Sequence, residues 1–149
     1  MESYLNYLDE VLGIKNIFMN RESAHALEHQ VVDILFVNII KETHESLKEP
    51  SVRELFDKIL AAMKIETLKV ASIDYSGRSA ESLYMDINQA FDSKFVIVMS
   101  REPMKSGELR IMGPSLWMEI FNPAYLLEHP GTKKLVWIDL QKVMKRLGV

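Results

Sequence analysis

The 149-residue chain reads as an α/β domain, a three-layer α/β/α arrangement around a mostly parallel central sheet. Three observations lead there. Two nearly unbroken apolar runs rich in β-branched residues, residues 31–40 (VVDILFVNII) and 95–99 (FVIVM), have the composition of strands buried on both faces. Strand-like and helix-like stretches alternate along the chain, as they do when helices cross back over a parallel sheet. At 48% apolar residues, the chain can build one sizeable core, and no repeat, low-complexity stretch or linker divides it.

In chain order, residues 3–12 carry Leu5, Leu8, Val11 and Leu12 at helical spacing, with Ser3 as the cap and Gly13 as the stop. Residues 14–18 form a short strand and residues 21–29 a polar connection of helical character. The strand over residues 31–40 follows, with Asp33 as the one charge near its start. Residues 41–50 are polar and end in proline, which reads as a loop. Ser51 then caps a helix reaching about Met63, with Val52, Leu55, Phe56, Ile59, Leu60 and Met63 on one face. Residues 68–73 make a third strand, residues 74–78 a turn around Gly77, and residues 79–91 a further helix. After the strand over residues 95–99 come a loop over residues 102–107, a short strand over 109–112, a Gly113-Pro114 turn and a strand over 116–121. A basic C-terminal helix closes the chain. Its apolar stripe is Val136, Leu140, Val143 and Leu147, with Trp137 and Met144 beside it. Its cations are Lys133, Lys134, Lys142, Lys145 and Arg146, with Asp139 opposing.

A formal charge of −3 gives no global footprint for nucleic acid, so any such contact has to be local. The absence of cysteine excludes disulfides, thiolate metal sites and iron–sulfur clusters. His25 and His29 are i,i+4 neighbours, but no third ligand accompanies them, and no metal or cofactor is expected. No nucleophile-elbow, Walker or Rossmann glycine pattern occurs. The start of the chain lacks a basic region before an apolar run, and no run is long enough to span a bilayer. A cytoplasmic location with no membrane contact is the expectation.

The sharpest change of state lies in residues 121–140 (FNPAYLLEHPGTKKLVWIDL). Asn122 is a preferred helix cap and Pro123 suits the first helical turn, so a strand hands over to a helix here. In open α/β sheets, ligands bind at such strand-to-helix turns. The stretch resembles the motif H-P-x-Y-L-L-x-x-P followed by K-x-x-x-W-x-D-L of the uracil-DNA glycosylase superfamily, especially its iron–sulfur-bearing branch. The resemblance extends over roughly residues 31 to 147, through VDILFVNIIKE, SVRELFDKILAAM and FVIVMS. It implies that fold, and with it base excision from DNA as a possible activity.

Departures from the family pattern fall on the groups that do its chemistry. The family's catalytic His stands as Asn122, which could still donate through its amide. The first loop, where relatives use glycines and an acidic residue or Asn to position water, reads Asn38-Ile39-Ile40-Lys41-Glu42. Asn38 or Glu42 would have to substitute there. Relatives stack an aromatic residue on the flipped base, but no Phe, Tyr or Trp lies between Thr43 and Val52. Ser72 falls where relatives read the uracil edge with an amide, which a hydroxyl cannot replace fully. Leu126, Leu127 and His129 occupy the segment that relatives push into the DNA stack. The resemblance thus places nucleic-acid contacts at Ser72, Pro123, Tyr125, Leu127, Lys133 and Lys134, with Asn38, Glu42 and Asn122 at the catalytic positions.

The first third of the chain is also similar to the psi-subunit family of bacterial DNA polymerase III, non-enzymatic bridges in the clamp-loader assembly. Leu12-Gly13-Ile14 followed by a strand and an Arg, the stretch LFVNIIKETHESLKEPSVRELFDKIL, the late Asn122-Pro123 and the downstream Trp137 carry this likeness. Both resemblances imply a small α/β domain tied to DNA, with DNA or a replication or repair protein as partner and no intact catalytic set. The competing expectation is a divergent active glycosylase using Asn122 with Glu42 or Asn38.

Overall fold

The computed structural model describes residues 14–19, 30–76 and 79–148. The helix expected over residues 3–12, the connection over residues 21–29 with His25 and His29, and the glycine of the expected Gly77 turn lie outside them. Among the described residues the elements are β1 (Ile14–Met19), β2 (Gln30–Ile39), α1 (Pro50–Met63), β3 (Val70–Tyr75), α2 (Ala80–Ala90), β4 (Phe91–Ser100), β5 (Arg110–Met112), β6 (Ser115–Phe121), α3 (Pro123–Glu128) and α4 (Lys133–Leu147). Short 3-10 turns at Thr43–Glu45 and Pro130–Thr132 precede α1 and α4.

The strands form one sheet in the order β1-β3-β2-β4-β6-β5. All neighbouring pairs are parallel except β5 with β6, which are antiparallel. The domain is therefore α/β with a mostly parallel sheet and helices on both faces. The β-branched runs occupy its centre: β2 pairs with β3 and β4, placing Val37 opposite Ile73 and Val98.

Alternation along the strands sorts the core into two layers. One face carries Ile34, Phe36, Phe95, Ile97, Met99, Met118 and Ile120, packed under α1, α3 and α4. Phe36 meets Phe56 of α1 edge to face at 5.2 Å, a favoured aromatic geometry. The other face carries Leu35, Val37, Ile73, Val96, Val98 and Trp117, packed with Leu83 and Ile87 of α2. Tyr75 donates its hydroxyl to Asp86 at 2.7 Å, tying β3 to that helix.

Several boundaries differ from the sequence reading. Helix α1 starts at Pro50 with Glu49 as its cap, so Ser51 sits inside the first turn. Proline loses nothing there, because the first-turn amides lack intrahelical acceptors in any case. β3 begins at Val70 and keeps Asp74 and Tyr75 inside the strand, where a turn is predicted. α2 ends at Ala90, and β4 follows at once from Phe91 with alternating burial. Phe91 extends the helical stripe of Leu83 and Ile87 in sequence, which masks the switch of period. Ser79, expected inside the helix, is the cap of α2 and accepts from the Ser82 amide at 3.1 Å. The basic C-terminal segment is two helices, interrupted at His129-Pro130.

Two glycines hold the far side of the sheet. Gly113 turns β5 into β6 at φ 60°, and a Cβ there would meet the Tyr84 hydroxyl. Gly107 (φ 80°) lies against Asp139 of α4, leaving no room for a side chain. β5 itself is brief, and its Ile111 is 82% exposed.

Truncating Phe56 to Ala is expected to cost about 3–5 kcal/mol in urea unfolding, since the ring is fully buried. Truncating the exposed Val31 to Ala should stay within about 0.5 kcal/mol.

Candidate functional site

The order of the sheet sets where a site can form. From β2 the chain crosses to β3 on one side, and from β4 it crosses to β6 on the other. The carboxyl ends of β2 and β4 thus flank a topological switch point, the place where open α/β sheets bind ligands. Asn38 and Ile39, Ser100 and Arg101, and Asn122 after β6 all arrive there.

A single carboxylate occupies that junction. Glu45, in the 3-10 turn before α1, is only 2% exposed. Its Oε1 accepts the backbone amides of Lys41 at 3.0 Å and Glu42 at 3.2 Å. Its Oε2 accepts Arg101 Nε at 2.5 Å and, more distantly, the Asn122 amide at 3.4 Å. Burial pushes the Glu45 carboxyl up, but the bonds from Lys41, Arg101, Asn122 and Glu42 outweigh it and hold the group below the usual carboxylate range. Arg101 also forms a two-point bridge to Glu128 of α3, at 2.6 and 2.8 Å. Its bond to Glu128 and, after the opposing effect of burial, its contact with Glu45 keep the guanidinium firmly charged. The same bond from Arg101 lowers the Glu128 carboxyl. His44 reaches Arg101 at 3.2 Å and Glu42 at 3.2 Å.

A second buried carboxylate lies one strand away. Asp74, with no exposed surface, accepts the Asn38 amide at 3.0 Å, the Leu47 backbone amide at 3.0 Å and the Ser46 hydroxyl at 2.6 Å. Asn38 gives its other amide hydrogen to the Glu45 carbonyl at 2.8 Å. Residues 45–47 are thereby fastened from below, and the loop before α1 sits down on the strand ends.

The three residues expected at catalytic positions are not equivalent here. Asn38 is fully buried, and both of its donors are engaged within the protein. Asn122 is fully buried and caps α3, its Oδ1 accepting the Tyr125 amide at 2.8 Å. Glu42 is exposed and pairs with His44. Asn38 and Asn122 do converge, through Glu45, which lies between them.

Of the positions expected at nucleic acid, Ser72 is fully buried in mid-strand, a full pleat below Asp74, and Pro123 is buried in the first turn of α3. Tyr125 is half-buried in a stack of three rings, 4.5 Å from Phe121 and 4.3 Å from His129. Leu126 packs into the core, whereas Leu127 is 40% exposed. Lys133 and Lys134 are exposed at the start of α4.

What remains open at the strand ends is a recess of about 170 Å³ lined by Ile39, Lys41, Glu45, Ser100, Arg101 and Glu102. Small-molecule sites usually enclose about 300–1,000 Å³. The buried Glu45 side chain and Ile39 both bound this recess. Among the described residues no cluster of His, Asp and Glu could hold a metal ion, and no helix is long and apolar enough to cross a membrane.

Glu45, Asp74 and Arg101 escaped the sequence reading. Asp74 is the one charge in a strand otherwise made of apolar and small residues apart from Tyr75, a usable signal for a buried functional or structural carboxylate. Arg101 directly follows a buried strand, which puts it at the carboxyl edge of any parallel sheet. Glu45 stands in a polar loop beside Glu42 and Glu49, and nothing local separates it from them.

Replacing Glu45 with Ala should cost about 2 kcal/mol or more of stability at neutral pH, because several donors lose a charged acceptor. The folded carboxyl titrates below its ordinary value of 4.5. Its contribution is therefore full above that pH and is lost as pH falls through the lower folded value. Urea midpoints measured from pH 7 to pH 3 should fall less steeply for Glu45→Gln than for the natural chain.

No protein-family model matches the chain, and no curated protein sequence matches it significantly.

Proposed function

We propose that this chain is a uracil-DNA glycosylase-like domain that no longer excises bases and works as a non-catalytic interaction module in DNA transactions, comparable in role to a psi subunit. One observation carries the reading: the strand-end junction, where a nucleobase and water would have to meet, is filled by the Glu45 side chain and its partners. Asn38 is fully buried, its amide hydrogens serve the Glu45 carbonyl and Asp74, and it does not line the remaining recess. Asn122 serves as a helix cap, and its amide donates to the Glu45 carboxylate. The exposed lysines of α4 supply local positive charge on a chain whose overall charge is −3, which suits contact with a polyanion or an acidic protein surface.

A second reading has one observation in its favour. Glu45 is held ionised only 3.4 Å from Asn122, and a carboxylate beside an amide donor is the pair a divergent glycosylase would need.

Incubation with uracil-containing single-stranded and mispaired oligonucleotides separates the two. The expected result is no release of free base above background, and no change in Asn122→Ala or Glu45→Gln. Release that either substitution abolishes would establish the second reading.

A further inference from the structure

On the face of the sheet covered by α1 and α4, an apolar groove runs between the two helices. Its floor is made by Leu126, Val136 and Leu140, all buried. Its walls are Leu55 and Ile59 of α1 and Trp137 of α4, each partly buried. The open space is about 170 Å³. From Leu55 to Ala62 the α1 wall is about 10 Å long at 1.5 Å per residue. That is room for one or two large apolar side chains and too little for a lipid or a folded domain.

The rim carries charge of one sign. Lys58 stands on the α1 side and Lys133 on the α4 side. Lys58 shares its charge with Glu54 at 3.3 Å, but Lys133 makes no ion pair among the described residues. Lys134 follows it, and the first turn of α4 contains no acidic residue. Two lysines at a helix N-terminus oppose the macrodipole, so the fold gains nothing electrostatically from having them there. A ligand with negative charge beside the groove would turn that unfavourable placement into an attraction.

We infer that the α1/α4 groove binds a short acidic peptide segment of another protein, which inserts one or two bulky apolar side chains between Leu55, Ile59 and Trp137 and sets its carboxylates against Lys133 and Lys58. This rests on the reading of the chain as an interaction module and names the partner's chemistry. The apolar walls give the affinity, and the lysines select acidic over basic sequences. Nucleic acid fits less well, because the groove offers aliphatic walls and one tryptophan where a phosphate backbone needs a continuous track of cations.

Trp137 provides the readout. The chain has only one other tryptophan, Trp117, which is buried on the far face of the sheet. The full chain is titrated with a fluorescein-labelled peptide bearing Phe and Leu four positions apart among Asp and Glu residues. Saturable anisotropy together with a blue shift of tryptophan emission is expected. Trp137→Phe, which shortens one wall of the groove, should lose the shift and weaken the binding. Lys133→Glu, at an exposed position, should weaken binding about fivefold, and so should raising the salt concentration. Ile59→Gln should weaken it further, with thermal unfolding checked alongside.

Equal binding of a peptide with Lys in place of Asp and Glu, or binding unaffected by Lys133→Glu and Ile59→Gln, would overturn the inference. Binding of a single-stranded oligonucleotide but not of the acidic peptide would also overturn it, while leaving the non-catalytic interaction reading standing. Self-association through this face, seen as dimers that Ile59→Gln dissolves, would overturn it as well. Base release in the glycosylase assay is the separate result that removes the broader reading.

Discussion

A carboxylate that is almost completely shielded from water has to be satisfied by nearby donors, and Glu45 satisfies that requirement with groups from its own turn and from two distant parts of the chain. Removing a charged group from water costs several kcal/mol unless hydrogen bonds and an opposite charge replace the lost hydration. Here the replacements are two amides of its own turn, Arg101 after β4 and Asn122 after β6. Each of those groups can reach Glu45 only if its strand ends in register with the others. The carboxylate thus fixes the path of the loop before α1, the direction of Arg101 and the seat of α3. Arg101 extends the same constraint outward to Glu128.

The two faces of the sheet divide the remaining labour. The face under α1, α3 and α4 carries the larger apolar layer and, at its carboxyl edge, the polar assembly around Glu45 and Asp74. The face under α2 is apolar almost to its ends, with the Tyr75–Asp86 bond as its polar fastening. The chemistry-bearing residue types that share an edge here are held by one another, and their mutual satisfaction is what leaves so little open volume. Apolar surface on the same side of the sheet, between α1 and α4, stays accessible. In this domain, the closed polar edge and the open apolar groove are separate places with separate physics.

How much of this was legible in the amino acids depended on the range of the interaction. The central strands announced themselves through β-branched composition, and the faces of α1 and α4 through their periodicity, because burial acts on each residue where it stands. Asn122 as a cap and Pro123 after it were legible for the same reason. Ends were less so: Phe91 satisfied the helical stripe and the strand alternation equally, and only pairing with Gln30 decides between them. Ser51 looked like a cap because serine often is one, yet Pro50 already suits the first turn. The network of Glu45, Arg101 and Asp74 was hidden, since its long-range bonds join residues 27 to 77 positions apart. A family resemblance directed attention to Asn38, Glu42 and Asn122. The residue that stands between two of them carries no local mark.

The sheet ends on one side in β5, a ladder of only three residues running against its neighbour. So short a margin offers a stranger's backbone few amides and carbonyls to zip onto, despite the bare isoleucine at its middle. Lengthening that rim by a few β-branched residues would supply the template now missing, and fibrous stacking of copies would become the hazard to watch during refolding or storage.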